Sequence, residues 1–306
     1  MSDRRSFLRN GFLAGLGIMG AGKLSFAASE GEYVKSSNER ALRIAHITDC
    51  HSKPKLKAEK ALKSVFQQLN SMGDKPDLIL NTGDSVLEAN YTSAGFVEEC
   101  WDVWNDSINC CGIPIHHTIG NHDVFTTLDI EEKYRHREGK MWAMQMLQLN
   151  QTYYSFEKGG WKFIALDSIG EYSYELDDIQ FAWLESELAS TNKPVCIYSH
   201  VPIISAAAMM YAMERRPGKS KVLKKEMHSD AKKLKDLFFK YPNVKLCLSG
   251  HVHYIDEVDY LGVKYMCNGS VAGNWWQGKL DEFPPAYAII DLYNDGTVKK
   301  DLIYYQ

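Results

Sequence analysis

The sequence has no run of about 18 consecutive apolar residues, the length that crosses a bilayer as a helix, so nothing in it reads as a permanent membrane span. It also has no internal repeat, low-complexity tract or collagen-like period, which excludes solenoid and fibrous classes. Cysteine is sparse and odd in number. The seven are Cys50, Cys100, Cys110, Cys111, Cys196, Cys247 and Cys267, at spacings that fit no zinc ribbon. At least one must stay unpaired within the chain, and Cys196 and Cys247 lie in apolar runs as small buried hydrophobes. Basic charge is not in surplus either: 35 Lys and Arg face 39 Asp and Glu, a formal net of −4, which argues against stable nucleic-acid binding. What remains is ordinary globular composition, 45% hydrophobic and 24% charged over 306 residues, enough for one large α/β domain.

The first 27 residues are set apart from the fold. Asp3-Arg4-Arg5-Ser6-Phe7-Leu8-Arg9 resembles a twin-arginine export signal, followed by a Gly-rich apolar run and by small residues at Ser25-Phe26-Ala27. Five glycines between Gly11 and Gly22 make a stable helix there poor. The expectation is a signal peptide over 1–27 and a single domain over 28–306. The chain would pass the twin-arginine translocase, be cut near Ala27, and act in the periplasm or outside the cell. No lipoprotein cysteine follows, so no membrane anchor is expected. The segment carries a net +3 (Arg4, Arg5, Arg9 and Lys23 against Asp3), which leaves −7 of the chain's −4 for the remainder.

Five β-rich runs end abruptly in polar clusters. Leu42–Ile47 runs into Thr48-Asp49-Cys50-His51, Asp77–Leu80 into Asn81-Thr82-Gly83-Asp84, and Ile113–Ile119 into Gly120-Asn121-His122-Asp123. Pro194–Tyr198 runs into Ser199-His200, and Val244–Leu248 into Ser249-Gly250-His251-Val252-His253. Continuous apolar runs of this length suit strands buried on both faces. Between them, helical stripes are predicted over Lys57–Met72, Phe96–Ile108, Ile179–Leu188 and Ser229–Phe239. This alternation is the α/β plan, in which the ligand cleft forms where strands end. Trp161–Leu166, Val263–Cys267 and Ala286–Leu292 are expected to build a second sheet.

The clusters hold the right atoms for divalent ions. Carboxylate, amide oxygen and imidazole together suit borderline first-row metals, and the adjacent glycines permit close approach. A lone D-x-H or G-D is common by chance. G-N-H-D and G-H-x-H, each closing a β-run, are far more specific, and five such clusters in order argue against coincidence.

This pattern (D-x-H, G-D, G-N-H-D, H, G-H-x-H) resembles the calcineurin-like metallophosphoesterase superfamily from about residue 42 to 292. Leu166-Asp167-Ser168, Gln180-Phe181-Ala182-Trp183-Leu184 and His200-Val201-Pro202 resemble segments of its bacterial members. The resemblance implies an α/β fold of two packed mixed β-sheets flanked by helices in four layers. It implies two divalent ions, Fe, Mn, Zn or Co: one on Asp49, His51, Asp84 and His253, the other on Asp84, Asn121, His200 and His251. Asp84 and a water or hydroxide would bridge them. His122 would stabilise the transition state or protonate the leaving oxygen, and Asp123 would orient His122 or tie down its loop. Ions about 3.5–4 Å apart acidify a shared water and clamp both apical oxygens of an in-line displacement at phosphorus.

Departures narrow the group. Gly83-Asp84-Ser85-Val86-Leu87-Glu88-Ala89 lacks the second Asp and the Arg of protein Ser/Thr phosphatases. Leu87 stands where purple acid phosphatases place a metal-binding Tyr. Cys50, unusual inside D-x-H, is expected to point away from the metals.

Three features carry two readings each. Trp275 and Trp276 either wall the substrate or pack between the sheets as large aromatics do. Ser205–His228, rich in Met and basic residues (Met209, Met210, Met213, Arg215, Arg216, Lys219, Lys221, Lys224, Lys225), is either a lid over the site or a solvated loop. His46, His116 and His117 read as satisfied strand histidines, while His136 and His228 read as surface. The expected activity is hydrolysis of a small phosphate mono- or diester. A nucleotidase or nuclease is the alternative enzyme, and a non-catalytic metal- or ligand-binding relative the alternative class.

Overall fold

A computed structural model describes residues 39–127, 130–215 and 223–305; nothing is said of the side chains of 212–215 and 223–224. The export-like segment and Arg216, Lys219 and Lys221 of the basic stretch lie outside the described residues. Among the described residues no helix is long and apolar enough to cross a membrane.

Among the described residues, eleven strands form two sheets. The first has five: β11 (Val298–Tyr304), β10 (Ala286–Tyr293), β1 (Arg40–Ile47), β2 (Leu78–Asn81) and β3 (Ile115–His117), in that spatial order. The second has six: β4 (Tyr154–Lys158), β5 (Trp161–Ala165), β6 (Val195–Tyr198), β7 (Val244–Ser249), β9 (Val263–Asn268) and β8 (Ile255–Tyr260). β1, β2 and β3 are parallel, as are β5, β6, β7 and β9, while β4, β8, β10 and β11 add antiparallel pairings.

Strand periodicity makes the layers. Leu42 and Ile44 of β1 face Trp161, Phe163, Tyr198 and Leu248 of the opposite sheet, forming the inner core. Ala45 and Ile47, on alternate positions, face outward to α1 (Leu56–Ser71) and α2 (Ala94–Ile108), where Phe66, Trp101 and Trp104 are fully buried. On the far side, Ile164, Ile197 and Val244 meet α4 (Asp178–Ala189) and α7 (Ala231–Lys240). Shorter α-helices among the described residues are α3 (Met141–Met146), α5 (Ala206–Arg215) and α6 (Leu223–Glu226). This is the expected four-layer arrangement, and the four predicted helices match within two residues at each end.

One strand assignment is corrected. Ala286–Tyr293 joins the first sheet, antiparallel to β1 through pairs such as Ile44 with Ile290. The second sheet instead recruits β6 and β7 of the motif-bearing strands. The polar clusters are therefore shared, three on one sheet and two on the other, with all five at strand C-terminal ends.

Candidate metal centre

The cleft lies where these ends meet, and its backbone is strained. Asp49, His51, Asp84, His251 and His253 have φ of 50°, 43°, 51°, 69° and 59°, the left-handed region that non-glycine residues rarely adopt. Crossing hydrogen bonds hold these turns: Asp49 N–H donates to Gly83 O, His51 N–H to Asp84 O, and Gly250 N–H to His200 O. Glycine is needed at 120 and 250 because a Cβ there would collide with the Asp84 carboxylate and with Thr48 and Asp49, respectively.

Seven side chains converge in two overlapping groups. In one, His253 Nε2 lies 3.3 Å from Asp49 Oδ1 and 3.1 Å from His51 Nε2, which is 3.8 Å from Asp84 Oδ2. In the other, His200 Nε2 lies 3.3 Å from Asp84 Oδ2, 3.0 Å from Asn121 Oδ1 and 3.3 Å from His251 Nδ1, itself 2.9 Å from Asn121 Oδ1. Asp49, His51, Asp84, His200 and His253 are buried.

The donor set fits cations. His200 Nδ1–H donates to Thr82 O, His253 Nδ1–H to Gly273 O and His251 Nε2–H to Lys225 O, at 2.8, 2.7 and 2.8 Å. With its outer nitrogen donating, each ring turns its other nitrogen inward as a lone pair. Lone pairs of His200 and His251, the Asn121 amide oxygen and the Asp84 carboxylate then face one another, which only a proton or a cation can reconcile. Among the described residues His51 Nδ1 has no outer partner.

Protein charges alone show the demand for positive charge. Burial works against a charged His200, yet Asp84 and Asp49 outweigh it and carry its pKa to about 9. Burial dominates at His51 and His251, which fall to about 3 and about 4 and stay neutral, the form that binds metal. The potential that keeps a proton on His200 would equally hold a divalent ion.

His122 sits at the rim with 24% of its side chain exposed. Its backbone N–H donates to Asp84 Oδ1 at 2.8 Å, and its Nδ1 is 2.8 Å from Leu87 O and 3.1 Å from Glu88 Oε2. Burial disfavours its charge, but Asp84, Glu88 and the Leu87 carbonyl lift its pKa to about 10. Asp123 does not touch the His122 ring. Its carboxylate accepts from Gly120 N–H at 2.9 Å and Val86 N–H at 3.1 Å, so of its two expected roles the loop tie is the one the geometry supports.

The tryptophans separate. Trp276 is buried with Nε1–H donating to His51 O, whereas Trp275 is half-buried with its ring 4.8 Å from His253 and 5.9 Å from His51. Cys50 is fully buried in the outer core, away from the cleft, and all seven cysteines are free thiols.

His46 is satisfied as expected, held between Thr82 Oγ1 and Asn268 Nδ2, and His117 is held by Asn81 Nδ2. His136 is exposed. His228 is not a surface residue: it is 4% exposed, with Nδ1 2.9 Å from Asp230 Oδ1, because the chain after α6 folds back beneath the Tyr174 loop.

Sequence reasoning missed Glu88, Tyr174 (ring centroid 5.0 Å from that of His251) and Asn90, whose Nδ2–H donates to Asn121 O. Only Glu88, four residues after Asp84 in a motif loop, carried a readable signal. A cavity of about 840 Å³ between the β3 and β4 edges, lined by Ile115, His117, Tyr154 and Trp183, includes none of the converging residues.

The family model described as calcineurin-like phosphoesterase matches residues 42–254. A 3',5'-cyclic-nucleotide phosphodiesterase of Nostoc sp. is 25% identical over 271 residues, covering 84% of this chain and 90% of that protein. The 3',5'-cyclic adenosine monophosphate phosphodiesterase CpdA of Escherichia coli K12 is 23% identical over 287 residues, covering 87% and 90%. The crystal structure of a dimetal phosphatase from Danio rerio superposes with a TM-score of 0.58 at 12% identity, covering 88% of this chain and 100% of that one, a likeness of fold.

Proposed function

The chain belongs to the calcineurin-like phosphoesterase family, and on that premise we propose that it is a two-metal hydrolase of small phosphate diesters. The observation that carries this reading is the set of imidazole lone pairs turned inward by the carbonyls of Thr82, Gly273 and Lys225. Asp49, His51, Asp84 and His253 would hold one ion, and Asp84, Asn121, His200 and His251 the other, as Fe, Mn, Zn or Co. When bound, such ions polarise the phosphoryl oxygens and acidify a water into the attacking nucleophile.

The chain's own residues do the rest. Asp84, in reach of both histidine groups, ties the two subsites together. The Leu87 carbonyl and Glu88 carboxylate hold His122 Nδ1–H, which leaves Nε2–H to protonate the departing oxygen. Trp275, beside His253, offers an aromatic wall to a flat substituent; Trp276 belongs to the core. Diester preference is supported by the two phosphodiesterases above, and the acidic balance of the chain favours a small substrate over nucleic acid. Export through the twin-arginine translocase is part of the same reading, supported by the Asp3–Arg9 pattern.

Elemental analysis paired with assays on a bis-aryl phosphate and an aryl monophosphate, with and without chelator, tests the proposal. Two ions per chain, chelator-sensitive turnover and faster diester cleavage are expected. A protein that takes up no ion pair, and in which Asp84→Asn changes nothing, would sink it.

A further inference from the structure

We infer that the two described flanks of the Ser205–His228 stretch, 205–211 and 225–228, brace the metal subsite of His251, holding the G-H-x-H loop from the side opposite the ligands. This inference rests on the two-metal reading above. Along that loop His251 and His253 turn to the cleft, while Val252 and Tyr254 turn away. Val252 and Tyr254 join Ala207, Ala208 and Cys267 in a buried cluster of their own, against which Tyr211 and Met227 pack. Tyr211 stacks on Tyr254 with ring centroids 4.5 Å apart.

Both ends of the stretch are anchored. At its start, Asp256 Oδ2 on β8 accepts from Ser205 Oγ at 2.8 Å and from Ala207 N–H at 2.9 Å, capping α5 from a neighbouring strand. At its end, His228 N–H donates to Pro202 O, two residues beyond His200, and Ser229 N–H donates to Tyr174 O, each at 2.8 Å. The Tyr174 ring in turn packs near-perpendicular to that of His251. Between these anchors the Lys225 carbonyl accepts His251 Nε2–H.

That carbonyl decides which His251 nitrogen is protonated, and so which one faces the ion. His253 Nδ1–H donates the equivalent bond to the Gly273 carbonyl, outside the stretch. The two subsites therefore depend on the brace unequally. Loosening it frees the His251 ring to change tautomer or rotate, while the His253 ring keeps its bond to the Gly273 carbonyl.

Cobalt(II) titration of the purified full chain, followed by calorimetry and visible absorption, tests this directly. Met227→Ala removes packing two residues from Lys225 and Tyr211→Ala removes the stack on Tyr254; Met227→Leu and Tyr211→Phe restore the bulk. Each alanine variant is expected to weaken the second cobalt site about 10–100-fold, the usual effect of losing a ligand's outer support, with the first site within about twofold and the conservative variants near wild type. Unchanged affinities overturn the brace. So does an equal loss at both sites, or a loss that the conservative variants share, because either outcome marks a general packing defect; thermal unfolding identifies a variant that has simply lost its fold, and the other variant then decides. Wild-type protein that takes fewer than two ions instead overturns the two-metal reading and this inference with it.

Discussion

At the scale of single residues, the cleft is a set of side chains forced into one another's company by backbone that resists it. Left-handed φ at Asp49, His51, Asp84, His251 and His253 costs on the order of 1–3 kcal/mol at each position. The crossing hydrogen bonds and the two close-fitting glycines keep those turns in place. Gly120→Ala should therefore push the Asp84 carboxylate aside, so that elemental analysis finds clearly fewer than two ions on a chain that still folds. His122→Ala is expected to do the opposite. Metal content should stay at two while kcat falls about 10²–10⁴-fold, the range for a positioned proton donor. A loss of bound metal in that variant would place His122 among the ligands.

At the scale of elements, a phenol clasps the two sheets at their β3 and β4 edges. Tyr154 Oη, on the edge strand of one sheet, accepts from His117 N–H at 3.0 Å and donates to His117 O at 2.9 Å on the edge strand of the other. Tyr198 Oη donates to it in turn at 3.0 Å. Tyr154→Phe leaves these polar groups without partners, and denaturant unfolding should show a loss of about 1–3 kcal/mol. Metal content should hold, since the clasp lies upstream of Gly120. The helices were readable because their apolar stripes are local. The placement of β10 was not: a continuous apolar run fits any central position, and its neighbours are chosen by which strand edge remains open.

At the scale of the whole molecule, the cleft belongs to neither sheet, and its clustered carboxylates and lone pairs repel one another unless a proton or a cation balances them. Ion binding should therefore stabilise the entire fold, by about 2.7 kcal/mol when free ion stands at a hundred times its dissociation constant. Differential scanning calorimetry before and after chelation would read this as a lower Tm for the stripped protein. An unchanged Tm would mean that the ions, if bound, are held outside the folded cleft.

The sequence by itself determined which side chains gather in the cleft. Seven polar side chains placed just after apolar runs marked the group that the structure brings together, because a strand that ends in Asp, Asn or His must present those groups where the sheet stops. Four helices followed from their stripes. Only the tertiary structure decided which sheet each strand joined, that Trp275 borders the cleft while Trp276 fills the core, and that His228 is buried. It alone gave the tautomers, because the deciding partners of His200, His251 and His253 are backbone carbonyls of Thr82, Lys225 and Gly273. Every residue carries a carbonyl, so sequence cannot say which one a fold will bring to a ring nitrogen.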